Sequence, residues 1–149
     1  MQVGDRFPDA AVGDGKGHGT QVSALLAGHA AVIYFYPKDS TSGCTLEARD
    51  FQSHLAEFQK AGVAVYGVSA DDDASHDKFA SECGLQFPLL VDTGGALGSQ
   101  LGIFDAGRGR HSRVTYLVGA DGRLRQIWPA VQVKGHAAEV LAAATAPAR

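Results

Sequence analysis

The stretch "IYFYPKDSTSGCT", residues 33–45, decides how this chain is read. It opens with β-branched and aromatic residues, the composition of a buried strand. Pro37 lacks a backbone donor and ends that run. A polar turn follows, and from Cys44 to Lys60 the apolar residues Ala48, Phe51, Leu55 and Phe58 recur at spacings of three and four. That spacing predicts a helix with one buried face, and Gly62 stops it as a C-terminal cap would. One of only two cysteines stands where the strand has ended and the helix begins. A cysteine kept for packing alone usually sits inside an apolar run, whereas this one follows Ser42 and Gly43.

Working outward, strand-like runs appear at 31–36, 63–69, 87–92, 113–118 and 124–128, each bounded by Gly, Asp or Pro. A second helix fits "DDASHDKFASEC", residues 72–83, with acidic residues in its first turn, Phe79 and Cys83 on one side, and Gly84 at its end. A short third helix fits "ALGSQLG", and a final one runs from His136 to Ala144. "ADGR" at 120–123 is an Asp-Gly turn, which makes the last two strands an antiparallel hairpin. Strand–helix–strand alternation followed by a hairpin and a helix implies an α/β fold, a mixed central β-sheet flanked by helices. The Gly-rich "GDGKGHG" at 13–19 lacks the spacing and context of a dinucleotide site and reads as a hairpin tip.

The 149 residues are expected to form a single domain, 1–149, large enough to bury a core without disulfide staples. A net charge of -3 leaves no basic surplus for phosphate backbones, so no nucleic-acid partner is expected. The chain shows no apolar run of signal-peptide or membrane-span type, so no membrane association and a cytoplasmic location are expected. In that compartment two cysteines suggest redox chemistry or a free buried thiol more than a structural staple. None of the six histidines forms a spaced ligand set with a cysteine or carboxylate, so no metal and no cofactor are expected.

At the first turn of a helix, Cys44 would lie near unpaired backbone N–H groups and the positive end of the helix dipole, both of which favour thiolate. A helix-terminal cysteine that merely fits remains open on position alone. Pro37, Thr41 and Cys44 then form P-x-x-x-T-x-x-C directly behind the strand. Here the sequence resembles the peroxiredoxins, specifically the bacterioferritin-comigratory or Q-type branch. The likeness runs through "VGDRFPD", "IYFYPKDSTSGCTLEARDF", "VYGVSADDDASHDKFA", "FPLLVD", "RVTYLVGADGR" and "VKGHAAEVL".

The resemblance implies a thioredoxin-like fold and a thiol-dependent peroxidase acting on hydrogen peroxide and organic hydroperoxides. Cys44 would be the nucleophile, Thr41 would offer its hydroxyl to the peroxide, Pro37 would shield the site, and Arg113 would hold the thiolate and polarise the O–O bond. Thr41 as a plain N-cap, Pro37 as a strand stop and Arg113 as an exposed strand residue are the plain alternatives, with Arg49 the competing arginine. Glu47 reads as a helix-surface carboxylate. Many relatives keep a resolving thiol five residues after the nucleophile, where this chain has Arg49. Cys83 is the only other thiol, three residues past the position (Ala80) that other members use. The resemblance therefore implies an internal Cys44–Cys83 disulfide recycled by thioredoxin or a similar thiol reductant, in a monomer. The alternative is a one-cysteine peroxidase or redox sensor in which Cys83 is structural.

Overall fold

The computed structural model describes residues 1–146. In chain order its elements are β1 (Ala11–Gly13), β2 (Gly19–Gln21), α1 (Val22–Leu26), β3 (Ala30–Phe35), α2 (Ser42–Ser53), α3 (Leu55–Lys60), β4 (Val63–Ser69), α4 (Asp73–Cys83), β5 (Leu89–Val91), a 3-10 turn at Thr93–Gly95, α5 (Ala96–Gln100), β6 (Phe104–Asp105), β7 (Arg110–His111), β8 (Val114–Val118), β9 (Leu124–Trp128) and α6 (His136–Thr145).

β3 is central because both of its faces are apolar. Val32, Tyr34 and Tyr36 enter one core with Ala48 and Phe51 of α2, Leu55 and Phe58 of α3, Phe79 of α4, and Ala137, Val140 and Ala144 of α6. The alternate residues Ala31, Ile33 and Phe35 enter the other, with Val22 and Leu26 of α1 and Leu97 of α5. This two-residue period with apolar side chains on both faces is what a strand covered by helices on both sides requires. The seven-stranded sheet runs β2-β1-β5-β4-β3-β8-β9, with β6 and β7 forming a separate pair. β3, β4 and β5 are parallel, and β8 and β9 are antiparallel to their neighbours, so the sheet is mixed. The expected fold class is therefore the observed one.

The helix read from Cys44 to Lys60 is two helices broken at His54. No Gly or Pro explains the break. The Asp50 carbonyl, which an unbroken helix would offer to the His54 N–H, instead faces His54 Nδ1 at 2.9 Å and accepts from Ser53 Oγ at 2.8 Å. The His54 N–H turns to Phe51 O, so local side-chain bonds have outcompeted the helical ladder. α4 begins as its sequence indicates, with Asp72 accepting from Ser75 N, and ends at Gly84 in the left-handed region, φ 63°. β1 and β2 form the hairpin around the Gly-rich tip; α1 and the β6–β7 pair are too short to show a period in the sequence.

Gly67, inside β4, is there for space. A Cβ at this position would lie 2.8 Å from Leu89 Cδ2 and 2.9 Å from the Tyr34 hydroxyl. Gly67→Ala is expected to cost about 1–3 kcal/mol by overpacking, read as a lowered urea midpoint; an unchanged midpoint would show that the Tyr34 ring has room to shift.

Candidate active site

Cys44, Thr41, Pro37 and Arg113 lie near the end of β3. Phe35 pairs with Val114 in the antiparallel β3–β8 register, so the chain entering β8 at Arg113 lies beside the end of β3. From there the backbone crosses Pro37–Ser40 into α2, turning at Ser40 with φ 62°, an uncommon left-handed conformation for a residue other than glycine. Thr41 is the N-cap residue, which makes Cys44 the third residue of α2. The N–H groups of that first turn have no helical acceptors, and the helix dipole points its positive end at them.

Cys44 is 1% exposed. Arg113 Nη2 donates to its Sγ at 3.4 Å, and Nη1 of the same guanidinium donates to Glu47 Oε1 at 2.6 Å. One planar fork thus spans a thiol and a carboxylate one helical turn apart, a task for which a lysine has the wrong shape. Gly43 makes room for it, since a Cβ there would stand 3.2 Å from Arg113 Nη2. Burial alone would weaken the charge on Arg113, but Glu47 and Cys44 outweigh it and raise its pKa above the ordinary guanidinium value. The competitor Arg49 is exposed one turn further along α2.

Glu47 corrects the sequence reading: it is buried, 1% exposed, rather than on the helix surface. Glu47 falls within the stripe formed by Cys44, Ala48 and Phe51, but a carboxylate there reads as the edge of the stripe until its partner Arg113 is known. Burial pushes its carboxyl up to about 7, against the pull of Arg113. Glu47 therefore keeps its proton to a higher pH folded than unfolded. Between its ordinary value of 4.5 and about 7 the folded state binds more protons, and stability falls as pH rises through that window. Glu47→Gln removes this term. Urea unfolding of both proteins from pH 4.5 to 7.5 is expected to show the wild type losing up to about 3 kcal/mol relative to the variant. A pH-independent difference would mean that Glu47 titrates as it does in the unfolded chain.

Thr41 is exposed, and its hydroxyl donates to Lys38 O at 3.0 Å rather than to the helix or to the sulfur. Its one proton is committed to the turn. Pro37 is half-buried beside it. Cys83 ends α4, partly buried, packed on the same apolar cluster as Cys44, and both thiols are free. Tyr34 belongs to the same cluster, stacked on Phe51 at 4.6 Å; its phenol pKa is driven up by burial first and then by Glu47, Cys44, Asp39 and Cys83. Its hydroxyl is buried without a partner, as is Glu47 Oε2.

Among the described residues, Asp39, Asp71 and His76 also bring two carboxylate oxygens and a ring nitrogen within 4.8 Å of one another, a grouping that sequence spacing did not reveal. No helix among the described residues is long and apolar enough to cross a membrane.

A helix-borne thiol under an arginine fork, at the end of a central strand of a mixed sheet, is the arrangement of a thiol peroxidase. The AhpC/TSA family model matches residues 3–127, and the chain belongs to that family. It is similar to peroxiredoxin Bcp of Xanthomonas campestris pv. campestris, 44% identical over 88% of this chain and 86% of that protein. It is also similar to peroxiredoxin Bcp of Bacillus subtilis, 35% identical over 95% and 93%. The solved bacterioferritin comigratory protein of Xanthomonas campestris superposes with a TM-score of 0.82 at 42% identity, covering 91% of this chain and 89% of that one. Peroxidoxin BcpB of Mycobacterium tuberculosis gives 0.90 at 29% identity, covering 97% and 96%. The fold is thus thioredoxin-like, and the chain is a thiol-dependent peroxidase that takes a peroxide substrate and a thiol reductant.

Proposed function

We propose that Cys44 is the peroxidatic nucleophile and Arg113 its principal partner. The observation that carries this is the single guanidinium donating to Cys44 Sγ and Glu47 Oε1 together. The thiolate attacks the nearer peroxide oxygen, an S–O bond forms as the O–O bond breaks, and sulfur is oxidised to sulfenic acid. The departing alkoxide or hydroxide takes a proton and leaves as alcohol or water. Charge grows on that leaving oxygen, where the Arg113 fork and the free N–H groups of the first turn of α2 are the donors at hand. Pro37 limits water at the mouth, and Thr41 lines it.

Cys83 then attacks the sulfenic sulfur and expels water, forming the disulfide; an external dithiol, thioredoxin by family likeness, returns two electrons and two protons. The apolar cluster on which both thiols pack supports this pairing. Cys44 is held in a formed helix, so α2 must unwind locally before the two Cα atoms approach within the roughly 7 Å that a disulfide allows. Non-reducing peptide mass analysis after one equivalent of peroxide is expected to give a linked 44/83 peptide, lost in Cys83→Ser. Sulfenic, sulfinic or intermolecular products alone would make this a one-cysteine enzyme.

Hydrogen peroxide and organic hydroperoxides are both proposed substrates. The similar Xanthomonas protein, whose solved structures address alkyl peroxide reduction, supports the second. The enzyme is read as one domain over 1–149, a monomer of the cytoplasm, where its two free thiols would stay reduced. A coupled assay of peroxide-dependent NADPH consumption with thioredoxin and its reductase tests the whole cycle. Sustained turnover supports it, and a single stoichiometric burst would mark a sensor.

A further inference from the structure

The loop between β3 and α2 contains a buried carboxylate that the chemistry above does not use. Asp39 is 5% exposed although its neighbours Lys38 and Ser40 are in solvent. It accepts from Tyr36 OH at 2.5 Å and from Ser75 Oγ at 2.9 Å, and it faces His76 Nδ1 at 2.6 Å. Its own N–H donates to Asp71 Oδ2 at 2.8 Å. On the far side of the same ring, His76 Nε2 faces the Leu90 carbonyl at 2.8 Å. A carbonyl and a carboxylate are both acceptors, and His76 is 1% exposed, so both contacts are satisfied together only when both ring nitrogens carry hydrogen.

We propose that the Asp39–His76 pair positions the peroxide site, with protonated His76 as the strut that ties the Pro37–Thr41 loop to α4 and β5. Asp39 lies two residues before the N-cap of the helix that presents Cys44, while His76 lies seven residues, about two turns, before Cys83 on the face of α4 that also carries Phe79. One buried cation therefore holds both thiol-bearing helices in a fixed relation to the sheet. Without the second proton, one of the two contacts becomes lone pair against lone pair, and either the loop or α4 must move. It follows that the loop is firm at low pH and loosens as His76 loses its proton.

The surroundings agree. Burial would lower the His76 pKa, but the bond and charge of Asp39, the Leu90 carbonyl and Asp71 reverse that and hold it above the ordinary imidazole value. The hold is therefore complete below that ordinary value and is lost as pH rises through the raised one. The charged groups around the ring are Asp39 in the loop, Asp71 in the turn before α4, Asp72, Asp73 and Asp77 at the start of α4, and Asp14 and Lys16 of the β1–β2 turn, which line the groove shared with His76 and Asp77. The facing oxygens of Asp39 and Asp71 are already satisfied by hydroxyl, ring and backbone donors, so the cluster is filled by protons.

This inference rests on the peroxidase reading, and the test separates the two. The second-order rate constant for Cys44 oxidation by hydrogen peroxide is measured from pH 5 to 9 in the full chain, for the wild type, His76→Gln and Asp39→Asn. Dividing wild type by variant at each pH cancels the ionisation of Cys44 itself. The expected ratio is about tenfold or more at low pH, the scale of a displaced positioning group, falling toward one above the His76 midpoint. A pH-independent ratio would reduce the pair to a structural contact and overturn the proposal. Nitrogen NMR of the wild-type imidazole requires no variant: both nitrogens protonated at pH 6 is the expected result, and a single neutral tautomer contradicts it. Wild-type loss of reactivity on adding EDTA, restored by zinc, would make the cluster a cation site and overturn it as well. Absence of any peroxide reaction in the wild type would instead sink the peroxidase reading, while the NMR result would stand on its own.

Discussion

Cys44→Ser will reduce peroxide consumption to the rate of buffer, a loss of at least about 10³-fold, while the protein stays folded. The size of the effect follows from electronic structure. A thiolate sulfur has electrons to give to the O–O antibonding orbital and a stable oxidised product, sulfenic acid. A serine oxygen attacking peroxide would only make another O–O bond. The substitution is mild for the fold because the new hydroxyl, although buried, inherits the Arg113 Nη2 donor now 3.4 Å from the sulfur. Loss of turnover with a retained unfolding midpoint is the expected pair of readings; turnover surviving in Cys44→Ser would assign the chemistry to Cys83.

Arg113→Ala is expected to lower the rate constant for Cys44 oxidation by about 10²–10³-fold, the cost of removing one well-placed donor to a developing oxyanion. Ionising the thiol cannot supply this factor. At neutral pH a strongly lowered thiol pKa gains about 30-fold in thiolate over an ordinary cysteine, and part of that is returned as weaker nucleophilicity. Breaking a buried ion pair often costs about 3–5 kcal/mol, but here the loss should be smaller, because the orphaned Glu47 titrates near 7 already and will take a proton rather than stay charged. Arg113→Lys should recover only part of the rate, since an ammonium cannot reach both Cys44 and Glu47 in the plane of a fork. Stopped-flow rates for the three proteins at pH 7, beside their urea midpoints, separate lost catalysis from lost stability.

Much of this was legible in the chain. The run of β-branched and aromatic residues at 31–36, the stripe from Cys44 to Phe58 and the Asp-Gly turn at 121–122 are local signals, so the mixed sheet and its covering helices followed. Cys44 and Arg113 were named as candidates through the family resemblance, and the structure sets them 3.4 Å apart. The break at His54 was not, since it comes from side chains competing for the Asp50 carbonyl rather than from any helix breaker. Nor was the burial of Glu47, because a charged residue on an apolar stripe is read as the edge of that stripe until a partner 66 residues away is known. The Asp39–His76 pair spans 37 residues and has no local signature either. Long-range pairing of polar groups is a property of topology, and no local period announces it.

Peroxide oxidises the sulfur of Cys44, at the leading turn of α2 beneath Arg113, if the proposed chemistry holds. Cys83→Ser protein exposed to one equivalent of hydrogen peroxide, with a sulfenic-acid trapping reagent present, tests it directly by peptide mass. Close to one adduct per chain is expected on Cys44, forming orders of magnitude faster than oxidation of free cysteine. Oxidation of Cys44 no faster than free cysteine, or an adduct elsewhere in the chain, would contradict it.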